Sequence, residues 1–223
     1  METISQIVQN KKYILYEDKN FLVINKPCGI SCNTDENEKN IFFVNRIDTP
    51  VSGCLLIALN SEYCRKLSQI FLNHQNVKKT YLAIIEGKLE NTGDILLENY
   101  ISFNPKKQKA YVYDSEKRKS KSAKLYYRIF SSSDRYSFFQ VELVTGRTHQ
   151  IRAQLSHAGY HIKGDLKYGA KRSDKTGGIR LHAYKMEFLH PDNKKRISVR
   201  APLFDADVLW NLCLDEVENA EKK

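Results

Sequence analysis

Leu125-Tyr126-Tyr127-Arg128-Ile129-Phe130, then Ser131-Ser132-Ser133-Asp134, then Tyr136 to Val144 (YSFFQVELV) is the most structured pattern in this chain. Two runs rich in aromatic and β-branched residues flank a cluster of turn formers, which predicts a β-hairpin. Strand-like patterning extends upstream from it to Ile95. Nearer the start, Phe21 to Asn25 and Leu55 to Leu59 are apolar runs of strand length, and Thr80 to Glu86 (TYLAIIE) reads as another strand. Lys26-Pro27-Cys28-Gly29 reads as a turn and Asn33 to Asn40 as a polar loop. Helices are fewer. Ser61 can cap one running through Leu67, Ile70 and Phe71 to about His74, and Thr148 can cap a second that buries Ile151 and Leu155 and ends before Gly159. There is no internal repeat and no Pro/Gly-rich linker. These features predict an α+β fold with a dominant antiparallel or mixed sheet. They also predict a single domain over residues 1–223, with a core of about 13–204 and an acidic C-terminal helix or tail after 205.

The 223 residues suffice for a sizeable core, and 36 Lys and Arg against 26 Asp and Glu give a formal charge of +10. That excess favours a polyanionic partner such as nucleic acid or a membrane surface. It is concentrated: Lys106, Lys107, Lys109, Lys117, Arg118, Lys119, Lys121, Lys124 and Arg128 face only Asp114 and Glu116 in the same segment. A merely solvated face would mix its signs better. The five cysteines are odd in number and scattered, so no disulfide framework is evident and a cytoplasmic protein is expected. No apolar run approaches the roughly 20 residues of a membrane span. Cys28-x3-Cys32 has no histidine nearby in sequence, and no metal site is expected.

Two blocks carry chemistry. Val44-Asn45-Arg46-Ile47-Asp48-Thr49-Pro50-Val51-Ser52-Gly53 sets a carboxylate beside an arginine in a turn between apolar runs. In a basic chain, Asp48 there points to chemistry on an anionic substrate. The second block is Leu143-Val144-Thr145-Gly146-Arg147-Thr148-His149-Gln150-Ile151-Arg152. A strand ends, Gly146 permits a tight turn, and a helix begins. Free amides at its start, with Arg147, His149 and Arg152, would offer an anion several donors. Taken alone, Arg147 pairing with a surface acid is an equal reading, and a lone His149 is more often structural than basic.

Together the blocks resemble the RluA family of pseudouridine synthases. Arg46-Ile47-Asp48-x3-Ser52-Gly53 is similar to its catalytic aspartate motif, and Lys79-Thr80-Tyr81-Leu82-Ala83 to its tyrosine motif. Thr145 to Arg152, followed by Gly159, Ile162, Gly164-Asp165 and Tyr168-Gly169, resembles its arginine motif; Leu181-His182-Ala183 and His190-Pro191 also stand in the family's order. The resemblance implies the pseudouridine synthase fold, a long mixed and mainly antiparallel sheet flanked by helices and loops with a central catalytic cleft. It implies an isomerase that converts a uridine of tRNA or rRNA into its C-glycoside isomer, with no metal or organic cofactor. Asp48 would act at the ribose C1′, as nucleophile or as base. Arg147 would pair with and orient it, and Tyr81 would stack on the uracil with its hydroxyl near the C5 proton. The target must be flipped out of its stack, and Arg46 would fill the vacated space. Ile162 would help line the base pocket.

Departures from the family pattern are local. Asn45 stands where a histidine is usual and Val51 where a threonine is usual, both expected to tune the turn. The segment between Gly29 and Phe43 is short, so a helix common there is expected to be reduced. No S4-type RNA-binding domain is expected before Tyr13. RNA would be gripped by the catalytic domain itself, through His149, Arg152 and the basic run of Lys106, Lys107, Lys109, Lys117, Arg118, Lys119 and Lys121, with the loop Ala170 to Gly178 adding a further basic contact. The chain is expected to work as a monomer with no obligate protein partner. A non-catalytic RNA-binding module would explain the charge without needing Asp48, Tyr81 and Arg147 together. A metal-dependent nuclease would need clustered ligands that the sequence does not offer.

Overall fold

The computed structural model describes residues 2–32, 40–73, 75–204 and 206–221. In chain order the elements are α1 (Ile4–Gln9), β1 (Ile14–Glu17), β2 (Phe21–Lys26), β3 (Phe42–Phe43), β4 (Ser52–Ala58), α2 (Ser61–Leu72) and β5 (Val77–Glu86). They continue with β6 (Ile95–Asn104), β7 (Lys109–Tyr113), β8 (Lys121–Ser132), β9 (Tyr136–Leu143), α3 (Gln150–His157), β10 (Leu181–Leu189), β11 (Arg196–Arg200) and α4 (Val208–Glu221). This is the α+β class expected. The chain groups into two compact units: Met1–Thr80 with His182–Leu203, and Tyr81–Leu181 with Phe204–Lys223.

In the first unit β1, β2, β4 and β10 lie side by side, with β11 paired to β10 and β3 to β4. The β1–β2, β2–β4 and β10–β11 pairs are antiparallel, whereas β4 and β10 run parallel. Every residue of β2 is buried, including Lys26 at its end. The helix α2 starts where Asn60, not Ser61, caps it: the Asn60 side chain accepts from the Tyr63 amide at 2.9 Å. Its buried face is Tyr63 and Leu67. Phe71 meets Phe188 at 5.9 Å and Phe188 meets Phe21 at 6.0 Å, ring centre to ring centre. Full burial of each such side chain is worth about 1.5–3 kcal/mol. The predicted end of α2 at His74 and most of the loop Asn33 to Asn40 lie outside the described residues, as does most of the segment where a helix was expected to be reduced.

In the second unit the order is β5, β9, β8, β6, β7. The predicted hairpin is β8–β9, antiparallel, with a register shift between Ile129 and Ser131 that accommodates the serine cluster. One sheet face is apolar: Ile101, Ala110 and Ala123 pack with Ala153 of α3 and with Tyr168. Tyr127 stacks on Phe139 at 5.2 Å and Tyr160 closes edge-on against both. The chain after 205 is the helix α4, which buries Trp210, Cys213 and Val217 at helical spacing. Arg180 anchors its start, donating from Nη1 and Nη2 to the two Asp207 oxygens at 3.0 and 2.6 Å. No helix among the described residues is long and apolar enough to cross a membrane.

Candidate active site

Asp48 stands in the loop between β3 and β4, half-buried, while Arg46 beside it is exposed. Its carbonyl accepts from the Val51 amide at 3.0 Å, closing a turn over Asp48-Thr49-Pro50-Val51. Asn45, the unusual residue of this block, builds the turn: its side-chain oxygen accepts from the Leu56 amide at 2.8 Å, beside the Val44 amide bond to the Leu56 carbonyl. Val51 is 2 % exposed and packs inward.

Beneath this turn lies Lys26, which is fully buried. Its ammonium donates to the carbonyls of Pro27 at 2.8 Å, Ile30 at 2.9 Å and Thr49 at 3.4 Å. Three donors thus meet three acceptors, two from the turn after β2 and one from the residue following Asp48. The Gly29 amide also donates to the Thr49 carbonyl at 2.7 Å, and the Cys32 thiol to the Ile47 carbonyl at 3.2 Å. Burial pushes the Lys26 pKa down to about 8, against an opposing pull from Cys32, Cys28 and Asp48. A buried cation therefore sits within electrostatic reach of the Asp48 carboxylate and ties together the loops on either side of it. On the other side of the turn, the Ser52 hydroxyl meets His182 Nδ1 at 2.8 Å. Lys26 does not stand out in the sequence; its only signal is a charged side chain ending an apolar strand, Phe21-Leu22-Val23-Ile24-Asn25-Lys26. His182 is marked there only as part of Leu181-His182-Ala183 in the family's order, with no role attached.

The second unit holds the other expected residues. Tyr81 is on β5 and 6 % exposed. Arg147 precedes α3, its Nε donating to the Ser122 carbonyl at 2.9 Å, which fixes the guanidinium plane. The expected Thr148 cap is not formed. The residue at the cap is His149, in the left-handed conformation (φ 56°) and without a capping bond. Gln150 takes over the role of organising the turn: its Oε1 accepts from the Arg147 amide at 2.9 Å and the Thr145 hydroxyl at 2.8 Å, while its Nε2 donates to the Lys124 carbonyl at 3.1 Å. The Arg147 amide expected to await an anion is thus already bonded.

Arg152 departs from its expected role. It is 5 % exposed, and its Nε and Nη2 donate to the two Asp165 oxygens at 2.6 and 2.8 Å. Tyr168 lies 5.0 Å over its guanidinium. A buried, doubly bonded arginine secures α3 to the following segment, and its Nε and Nη2 are committed to Asp165. His149 Nδ1 meets the Tyr168 hydroxyl at 2.9 Å, and that hydroxyl accepts from the Ala110 amide at 2.8 Å. Ile162 is 2 % exposed, in an isolated bridge with Ile85.

The basic run separates into two groups. Lys106 and Lys107 are exposed at the tip of the β6–β7 hairpin, and Lys109 lies with its ammonium 5.2 Å over Tyr168. Lys117, Arg118 and Lys119 are exposed on a turn closed by the Ser120 amide bonding the Lys117 carbonyl at 2.9 Å, with Lys121 exposed at the start of β8. β7, which begins with Lys109, runs from the first group towards the second. In the loop Ala170 to Gly178, Lys171, Arg172 and Lys175 are exposed but Asp174 points inward to Lys163 and Arg180, which hold its carboxyl well below the usual range. Among the described residues no cluster of three or more His, Cys, Asp or Glu side chains is placed to hold a metal ion.

Residues 20–157 match the family described as RNA pseudouridylate synthase. A "tRNA pseudouridine synthase C" of Haemophilus ducreyi is 30 % identical over 237 residues, covering 91 % of this chain and 94 % of that protein. A "Ribosomal large subunit pseudouridine synthase C" of Buchnera aphidicola subsp. Baizongia pistaciae is 31 % identical over 212 residues, covering 85 % of this chain and 66 % of that protein. Among solved structures, Human RNA Pseudouridylate Synthase Domain Containing 1 superposes with a TM-score of 0.72 at 22 % identity over 94 % of each chain, which establishes likeness of fold.

Proposed function

This chain belongs to the RNA pseudouridylate synthase family, and on that premise we propose that it isomerises a specific uridine in tRNA or rRNA, with Asp48 as the reacting carboxylate. The observation that carries the assignment is the setting of Asp48: a half-buried acid on a turn clamped around a fully buried ammonium, Lys26. An acid needed only for solubility would have no reason to sit above a desolvated cation, which costs folding energy to bury.

The reaction breaks the bond between ribose C1′ and uracil N1, turns the base, and joins C1′ to C5; the C5 proton then leaves and N1 gains one. A carboxylate is needed at C1′, either to attack it or to take a proton from the sugar. Asp48 supplies it, and Lys26 keeps local positive charge beneath it. Tyr81 offers a flat ring to the uracil and a hydroxyl for the C5 proton. Arg147 is assigned the guanidinium that orients the carboxylate, and exposed Arg46 the space left by the flipped nucleotide. Phosphates are gripped by Lys106, Lys107, Lys109, Lys117, Arg118, Lys119 and Lys121, which give affinity without reading sequence. The H. ducreyi and Buchnera relatives carry tRNA and ribosomal names respectively, so both RNA classes belong in the test.

The test maps pseudouridine in total RNA from cells with and without the gene. One or more sites should vanish in the deletion, return with the wild-type protein, and stay absent with Asp48→Asn. Restoration by Asp48→Asn, or no lost site, overturns the proposal.

A further inference from the structure

The turn that carries Asp48 leads at once into a buried pair of hydrogen bonds. Ser52 opens β4 directly opposite His182 of the parallel strand β10. The imidazole is completely buried, with Nδ1 at 2.8 Å from the Ser52 hydroxyl and Nε2 at 3.0 Å from the Ala201 carbonyl. A carbonyl oxygen only accepts, so Nε2 carries the proton and Nδ1 is the acceptor. The serine hydroxyl therefore donates to the ring. Burial pushes the His182 pKa down to about 4, so this neutral form is fixed at physiological pH.

One residue further on, the strands close more tightly. Gly53 has φ +111°, and a Cβ built there would lie 2.3 Å from the Ala183 carbonyl oxygen. No larger residue fits, so the two backbones touch and Ser52 keeps its register with His182. On the opposite side of the turn, Thr49 is held by Lys26 and by the Gly29 amide.

We propose that His182 is a positioning residue for the Asp48 carboxylate and acts through Ser52. The proposal rests on the reading of Asp48 as the reacting group. The four-residue turn closed by the Val51–Asp48 bond is held from within by Lys26 and Gly29 at the Thr49 carbonyl, and where it leads into β4 by the Ser52–His182 bond. With both holds in place, the backbone that carries Asp48 is confined before substrate arrives. Remove the second hold and the chain leaving the turn loses that tie, so the Asp48 backbone gains freedom on its C-terminal side.

Two substitutions separate positioning from mere burial of a histidine. His182→Asn keeps an acceptor near the Nδ1 position and gives up the Ala201 bond; His182→Gln reaches Ala201 and gives up Ser52. The measurement is single-turnover pseudouridine formation at the mapped site, using total RNA from the deletion strain, together with RNA affinity and urea stability of each purified protein. We expect His182→Gln and Ser52→Ala to slow the step by about 10- to 100-fold with RNA affinity unchanged. Ser52→Thr and His182→Asn should rescue most of the rate, and the Ser52→Ala/His182→Gln pair should be no slower than either change alone. Rates that follow urea stability across the set, additive losses, or losses confined to affinity would each overturn the proposal. Asp48→Asn in the same assay keeps the two readings apart. If it turns over at the wild-type rate, the assignment of Asp48 fails; if it is inactive while Ser52→Ala and His182→Gln keep the wild-type rate, only the role of His182 fails.

Discussion

The charge of Lys26 depends closely on its surroundings. It is ionised below its lowered pKa of about 8 and neutral above it, so the positive charge beneath Asp48 fades as pH rises through that value. Single-turnover activity should fall on the alkaline side with a midpoint near 8. Lys26→Met should be at least about tenfold slower at neutral pH and should lose that limb; a limb that persists in Lys26→Met would assign it to another group. Stability responds to pH in the opposite sense. Between about pH 8 and the ordinary lysine value of about 10.4, the unfolded chain binds a proton that the folded chain has released. The Lys26 contribution to stability therefore rises with pH in that window while activity falls. Sequence alone pointed to Asp48, because an acid beside an arginine in a basic chain is conspicuous. It could not point to Lys26, which reads there as the first residue of a turn; its role follows from three carbonyls that only the folded loop brings together.

At the scale of elements, the β4–β10 pairing is the tightest constraint around the candidate site. Gly53→Ala would place a methyl group inside the Ala183 backbone and force a side chain into a positive-φ conformation. It should cost about 3 kcal/mol or more, read as a lower urea midpoint, and the activity that survives should be lower still, because Ser52 moves with Gly53. A midpoint within error of the wild type would show that the strands can separate without loss. Most strands were legible as apolar runs, and several grew when paired: Leu55 to Leu59 became Ser52–Ala58, and Leu125 to Phe130 became Lys121–Ser132, whereas Tyr136 to Val144 ended one residue earlier, at Leu143. The parallel pairing of β4 with β10 was not legible, since a long stretch of chain separates the two strands. The helix caps were misread for a related reason. Asn60 and Ser61 are both good caps, and the turn before α3 is organised from inside the helix by Gln150, a residue type that no capping rule singles out.

For the whole molecule, the positive charge reads as a grip on RNA, and the structure separates charges that face solvent from those consumed internally. Arg152 and Arg180 are paired in the interior, whereas Lys117, Arg118 and Lys119 are exposed on one turn. Replacing these three by glutamine should weaken RNA binding and reduce the slope of log affinity against log salt by about 0.7–0.9 for each phosphate no longer neutralised. An unchanged slope in filter binding across a potassium chloride series would remove that turn from the interface. Composition alone could not make this division, because a buried arginine and an exposed one count equally in net charge.

β7 is the last strand in its sheet order, and an unpaired strand edge is a template on which a second chain can add. The Ala110 amide on that edge is already bonded by the Tyr168 hydroxyl, and the Lys109 ammonium lies across the same ring. A side chain thus occupies the edge where a neighbouring strand would begin to pair, so a second chain adding there would first have to displace the Tyr168 hydroxyl.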